Sequence, residues 1–305
     1  MSDTVPLPRG NFVLTLKAPE VARNCRPGQF VMIAPLEGYS PPQPLLKRAL
    51  AVYSVGRQRL STIRLLVKVV GPGTLGLASL RAGALTSLIG PLGNGFDLNA
   101  GGGKIHLLLA GGIGIASLYL LAEQLLARGE QVHLLYGGRK SEDLVGLEDF
   151  RRLGMPVQLT TDDGSAGFKG LVTEGLLQYM EKFSHDRLIF YACGPDPMMR
   201  SVAAIAARSH IPCQVSVETK MACGFGVCLG CSVKTVHSYR LACTDGPVFA
   251  AEDIVWPTGE EGGDTVLSPG SENAPGIPPG EEIRREPLGQ RESGQIEVGG
   301  EWKKQ

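Results

Sequence analysis

Ile105-His-Leu-Leu-Leu-Ala-Gly-Gly-Ile-Gly114 decides the fold. An apolar run at 105–110, short enough for a buried strand, meets glycines at 111, 112 and 114. A helix-forming segment then runs to about Arg128 and is stopped by Gly129. Such a strand–turn–helix unit presents bare backbone amides and a positive helix end to a pyrophosphate. The match to G-x-G-x-x-G is imperfect, because Gly112 and Gly114 fit but Ser117 holds the third place. No acidic residue closes the next strand either, where Tyr136 is followed by Gly137, Gly138 and Arg139. Taken alone, the turn is equally compatible with a purely structural role.

The surroundings favour a nucleotide site. Apolar runs at 105–110, 132–136, 157–161, 188–192 and 213–217 alternate with amphipathic segments, the pattern of a doubly wound parallel α/β sheet. Tyr191-Ala-Cys-Gly-Pro-Asp-Pro-Met198 follows one of these strands and precedes a helix running to about Arg208. Gly194-Pro195 forces a sharp turn at the carboxyl edge of the sheet, where ligands bind in such folds, and places Cys193 near a nicotinamide ring. Before this region, β-rich runs at 12–16, 30–33 and 63–70, broken by Pro and Gly, suggest a small antiparallel barrel.

A third zone carries Cys223, Cys228, Cys231 and Cys243, spaced C-x4-C-x2-C-x11-C within and after Met221-Ala-Cys-Gly-Phe-Gly-Val-Cys-Leu-Gly-Cys231. The first three match plant-type [2Fe–2S] sites, whose glycine-rich loop wraps the cluster closely. Tetrahedral zinc is the main rival, although structural zinc generally uses two paired knuckles and only Cys228-x2-Cys231 makes one. Seven cysteines and no secretory signal argue against a disulfide framework.

Organisation follows from these zones: 1–100 a β-barrel, 101–213 an α/β domain, 214–256 the cysteine appendage and 257–305 a tail. The tail has 16 Gly or Pro among its residues and no long apolar run, so it reads as disordered. It holds ten acidic and five basic side chains, which leaves a surplus of only +5 on the rest of a chain neutral overall. No Lys/Arg stripe points to nucleic acid. The most apolar stretch, 107–122, is broken by glycines and too short to span a bilayer. A cytoplasmic protein is expected.

The two chemistries impose a condition on each other. A nicotinamide exchanges two electrons as a hydride, whereas a [2Fe–2S] cluster exchanges one, so a flavin is expected between them. The barrel turns Gly71-Pro-Gly-Thr74 and Gly90-Pro-Leu-Gly-Asn-Gly-Phe96 are places where backbone could approach it.

Together these residues resemble the electron-transfer subunit family of NAD-dependent (class 1B) dihydroorotate dehydrogenases, within the ferredoxin reductase superfamily. The likeness runs from about Asn11 to Trp256, and Glu218-Thr-Lys-Met-Ala-Cys-Gly-Phe-Gly-Val-Cys-Leu-Gly-Cys231 is its most specific part. The resemblance implies FAD in the barrel, NAD on the α/β domain and [2Fe–2S] in the appendage. It also implies an FMN-containing dihydroorotate dehydrogenase catalytic subunit as partner, in a heterotetramer. By the same resemblance Cys223, Cys228, Cys231 and Cys243 ligate the cluster. Gly111, Gly112, Gly114, Cys193, Gly194 and Pro195 lie along the nicotinamide nucleotide, and Gly71, Gly73 and Thr74 lie by the flavin pyrophosphate. The family's flavin motif Arg-Pro-x-Ser is replaced by Arg48-Ala-Leu-Ala51. Arg48 keeps the charge, and Tyr53-Ser54 is expected to take over the lost hydroxyl contact. The FAD should therefore be released more readily than usual. Alternatives on the same scaffold are the small subunit of a sulfide dehydrogenase or of a ferredoxin–NADP reductase, with Arg139 leaving NADP open. A zinc-stabilised, non-enzymatic module is the alternative of a different class.

Overall fold

The computed structural model describes residues 2–34, 46–56 and 61–256. The tail at 257–305, read from sequence as disordered, lies outside the described residues. Strands β1 (Ser2–Leu7), β2 (Asn11–Lys17), β3 (Phe30–Ile33), β4 (Arg48–Ala51), β5 (Ser54–Gly56), β6 (Thr62–Lys68) and β7 (Leu88–Leu92) form two antiparallel sheets, ordered β1-β2-β6-β5 and β4-β3-β7. Short helices α1 (Pro19–Asn24) and α2 (Pro72–Ala78) plug the ends. The alternation of side chains along β2 and β6 explains the barrel's two faces. Phe12, Leu14, Leu16, Ile63, Leu65 and Val67 fill its interior, while Val13 and Leu66 point outward into a second core shared with the α/β domain.

That domain is built from β8 (Ile105–Gly111), α3 (Tyr119–Ala127), β9 (Gln131–Gly138), α4 (Leu147–Arg152), β10 (Val157–Thr161), β11 (Phe168–Lys169), α5 (Val172–Met180), β12 (Leu188–Cys193), α6 (Asp196–Arg208) and β13 (Cys213–Ser216). The strands from β8 to β13 are parallel. Strand β8 is buried throughout because helices cover both its faces. Its Ile105, Leu107 and Leu109 meet α5 and α6, and its Leu108 and Ala110 meet α3 and α4. The sheet order β11-β10-β9-β8-β12-β13 reverses between β8 and β12, which opens a crevice at their carboxyl ends.

Strands at 30–33 and 157–161 agree with the sequence expectation to the residue. Two features differ. The segment after Gly111 first winds as a 3-10 turn (Gly112–Ser117), and the α-helix begins only at Tyr119. A tighter opening turn is common at helix starts, and glycine-rich backbone tolerates it. The appendage is also less separate than its composition suggests. It contains the hairpin β14 (Ser232–Lys234) and β15 (Tyr239–Leu241), but β16 (Val248–Ala250) returns to pair antiparallel with β13 as the seventh strand of the large sheet. Among the described residues no helix is long and apolar enough to cross a membrane.

One tie between the barrel and the sheet centres on Asp149 of α4. Buried Tyr53 donates to Asp149 Oδ2 of α4 at 2.9 Å, and Arg64 of β6 reaches the same oxygen at 3.1 Å. Arg152 holds the other carboxylate oxygen at 3.0 Å, and the Tyr53 ring lies 4.7 Å from that of Tyr119. Burial, and then Asp149, push the Tyr53 phenol far above its ordinary pKa, so it stays a donor at every working pH. Tyr53→Phe should lower stability by about 1.5 kcal/mol, the low end for a hydrogen bond to a charged group because two arginines still serve Asp149. The midpoint of urea unfolding measures it.

Candidate functional site

The crevice between barrel and sheet holds two cavities. The first, about 510 Å³, lies at the carboxyl ends of β8, β9 and β12. Gly111, Gly112, Gly114, Gly194 and Pro195 line it, so the two glycine-bearing turns found in the sequence come together. Gly114 is required by packing: a Cβ there would stand 2.4 Å from the Cys193 carbonyl oxygen. The glycine lets the turn after β8 press directly on the end of β12. Cys193 itself is fully buried and does not line this cavity. Burial raises its thiol pKa to about 12, and the side chain bonds with Ser117 and Ser216. It is absent from the lining of the second cavity as well, so the structure places it beneath the cavity surface.

The second cavity, about 400 Å³, lies on the barrel side and is lined by Arg48, Ala49, Leu50, Ala51 and Thr74, with Ser117, Ser216 and Met221 opposite. Gly73 makes room for Arg48, since a Cβ on Gly73 would be 2.4 Å from the guanidinium. Thr74 reaches the cavity, although its hydroxyl is also engaged with the backbone N–H groups of Val70 and Gly71 at 2.9 and 3.2 Å. Gly71 and Gly73 are not among the lining residues. Nor are Tyr53 and Ser54: Tyr53 is turned to Asp149, and Ser54 is buried opposite Arg64 in β5. Hydroxyls do face this cavity, but Ser117 and Ser216 bring them from the α/β side. The turn at 90–96 has another task, as Asn94 Nδ2 donates to the carbonyls of Thr244 and Asp245 at 3.0 Å and fastens the appendage to the barrel.

Lys68, Ile113 and Glu218 line both cavities, so the two adjoin. Met221, two residues before Cys223, also lines the second. The cysteine loop then folds against β3 and β7. Gly224 has φ +84°, and a Cβ on it would lie 2.4 Å from Met32 Cγ, so a side chain is excluded twice over. Leu229 accepts a left-handed φ of 59° between Cys228 and Cys231, the kind of local strain that collects at functional loops. The thiols stand as two contacting pairs, Cys223 with Cys228 and Cys231 with Cys243. Among the described residues no three His, Cys, Asp or Glu side chains close on a single point. Two pairs are what a binuclear cluster uses, two thiolates to each iron, whereas a lone zinc gathers all four ligands round itself. Backbone N–H groups from Cys228 and Phe225 lower the Cys223 pKa to about 6. The Gly226 N–H donates to Cys243 Sγ at 3.1 Å. Such amides are suited to stabilising sulfur charge. The donor set fits an iron–sulfur cluster, and the two cavities fit a flavin beside a dinucleotide.

Tertiary closure also brings in residues the sequence did not single out. Asp143, Asp162, Arg9 and Asn11 line the first cavity, and Arg9 Nε bonds Asp143 at 2.8 Å across the domain boundary. Asp162 lies just past the carboxyl end of β10, the one signal that could have marked it.

Comparison with known proteins agrees with this geometry. Residues 218–255 match the family described as iron-sulfur cluster binding domain of dihydroorotate dehydrogenase B, and 108–204 match the oxidoreductase NAD-binding domain. In structure the chain is similar to phthalate dioxygenase reductase, with a TM-score of 0.52 and 19% identity, covering 77% of this chain and 84% of the other. It is more similar to the NADH-dependent reduced ferredoxin-NADP oxidoreductase structure, with a TM-score of 0.73 and 31% identity, covering 83% and 88%. Fold and crevice together define an oxidoreductase component of the ferredoxin-reductase type with an iron–sulfur appendage. Among sequences, it is 36% identical over 249 residues to the dihydroorotate dehydrogenase B (NAD(+)) electron transfer subunit of Desulforamulus reducens, covering 80% of this chain and 92% of that one. A homolog of the same subunit in Aquifex aeolicus is 37% identical over 246 residues, with the same coverage. The chain belongs to the family of dihydroorotate dehydrogenase B electron transfer subunits.

Gly224→Ala should impose about 1–3 kcal/mol of backbone strain on the cysteine loop, besides the clash with Met32. Iron and sulfide per chain should fall to less than half, with NADH binding at the first cavity unchanged.

Proposed function

We propose that this chain is the electron-transfer subunit of an NAD-dependent dihydroorotate dehydrogenase that serves pyrimidine biosynthesis. Electrons from the FMN of a catalytic subunit would cross a [2Fe–2S] cluster to FAD and leave as hydride on NAD⁺. The observation that carries this is the adjacency of the sites: Lys68, Ile113 and Glu218 line both the nucleotide cavity and the barrel-side cavity, and Met221, two residues before Cys223, lines the latter. Cys223 and Cys228 would hold one iron, and Cys231 and Cys243 the other. Arg48 would face the flavin phosphates with a fixed charge. Gly111, Gly112, Gly114, Gly194 and Pro195 would let the dinucleotide lie close to backbone. Asp143 and Asp162 supply carboxylates to the same cavity as Arg139, which favours ribose hydroxyls over a 2′-phosphate and hence NAD over NADP.

The partner surface is argued from exposure. Phe225 (52% exposed), Val227 (73%) and Leu229 (61%) form an apolar cap on the loop that carries the cysteines, and Tyr239 (68%) extends it along β15. Apolar side chains so exposed beside one-electron donors suit a docking face. We assign it to the FMN-bearing catalytic subunit, in a heterotetramer. The likeness to a ferredoxin-NADP oxidoreductase keeps a second donor, reduced ferredoxin, in view.

Protein purified without oxygen should show flavin and iron–sulfur absorption together, with a paramagnetic signal on reduction. A colourless zinc protein would reject the proposal. Val227→Asp should weaken association with the catalytic subunit at least about tenfold, or ~1.4 kcal/mol, with iron content unchanged. If reduced ferredoxin feeds the chain and dihydroorotate with its dehydrogenase does not, the second donor is the correct one.

A further inference from the structure

The electron path leaves a proton unaccounted for. Two electrons arrive singly through the cluster, and each hydride that leaves on NAD⁺ carries two electrons and one proton. The reductant is the partner's flavin, and the cluster hands on electrons alone. One proton per hydride must therefore reach the flavin from solution, through a crevice whose centre both cofactors occupy.

Glu218 stands where that proton is needed. Among the described residues it is the one carboxyl that lines both cavities, at the boundary between nucleotide and flavin spaces. Asp196, at the start of α6, lines the nucleotide cavity and is half-buried. The two interact electrostatically, and burial raises both carboxyls, Asp196 to about 6. Glu218 is exposed, yet the protein crowded around it, and then Asp196, raise its carboxyl and favour the acid form. Other charges face the same space. Lys68 of β6 lines both cavities, while Arg9 and Asp143 lie in the nucleotide cavity. Arg48 and Lys220 line the flavin side. The cations oppose the rise, yet burial followed by Asp196 sets its direction.

We propose that Glu218 is the proton carrier of this crevice, passing from Asp196 and solvent to the bound flavin the one proton that each hydride requires. The assignment rests on the electron-transfer role proposed above. Glu218 in its acid form gives the proton as the second electron arrives, and the resulting carboxylate is reprotonated through Asp196. Its position five residues before Cys223 puts the proton route and the electron route at opposite ends of one short segment.

The test follows proton uptake in the holoprotein without NAD⁺, reduced by light in weak buffer with a pH-indicator dye. In the wild type, one proton per flavin should be taken up together with flavin bleaching, at a rate that falls as pH rises and the carboxyl ionises. Glu218→Gln should slow uptake and bleaching at least about tenfold and flatten the pH profile, while cluster reduction keeps its rate. Glu218→Asp should recover most of the loss, and Asp196→Asn should slow uptake by a smaller factor. The infrared difference spectrum of reduction should contain a protonated-carboxyl band that Glu218→Gln removes. Uptake at the wild-type rate in Glu218→Gln, or persistence of that band, overturns the proposal. Should Glu218→Gln lose flavin, Glu218→Asp takes its place: its lower carboxyl pKa should move the fall in uptake rate to lower pH, and a pH profile identical to the wild type's overturns the proposal equally. Failure of the electron-transfer role is seen separately, as a wild-type spectrum without flavin or cluster.

Discussion

The crevice depends on one carboxylate. Asp149 takes the Tyr53 hydroxyl and the Arg64 guanidinium from the barrel, and Arg152 from its own helix. Around it Val13, Leu66, Phe96 and Tyr53 of the barrel share a core with Leu118, Leu121 and Phe150 of the α/β domain. Apolar burial supplies the affinity between the domains, and the buried polar contact supplies the register. Because that register is fixed, two cavities formed by different domains meet at Lys68, Ile113 and Glu218.

Where periodicity governs, the sequence was legible. Strands such as Phe30–Ile33 and Val157–Thr161 announce themselves by apolar content bounded by turn residues. The glycine turns after β8 and β12 were equally readable, since only glycine leaves room for Gly114 against the Cys193 carbonyl. Direction of side chains in three dimensions was not readable. Tyr53-Ser54 looked like a flavin contact, but its hydroxyl was claimed by a helix 96 residues further on. Cys193 directly precedes cavity-lining Gly194, yet it is fully buried and lines neither cavity. Asp162 lies isolated in sequence and joins the site only when the sheet is assembled.

The appendage shows how few contacts can orient a redox loop. Asn94 grips the backbone just past Cys243, Gly224 lies flush on Met32, and amide hydrogens already point at sulfur. Such preorganisation reduces the rearrangement needed when charge enters or leaves. The substitutions at Ala49 and Ala51 remove a rigid proline and a hydroxyl from the barrel wall, and Ser117 and Ser216 restore polar groups from across the crevice. The lining of the barrel-side cavity is thus shared between two domains.

Strand β16 completes the large sheet only after the chain has passed Cys243. Until then β13 remains an open margin, free to pair with a stranger. The polypeptide therefore cannot seal its nucleotide half before the last sulfur has been laid down nearby. Biogenesis of the two halves is welded together: a newborn chain arrested short of Val248 would lack both a finished cluster pocket and a protected flank, which marks it for disposal rather than for half-active service.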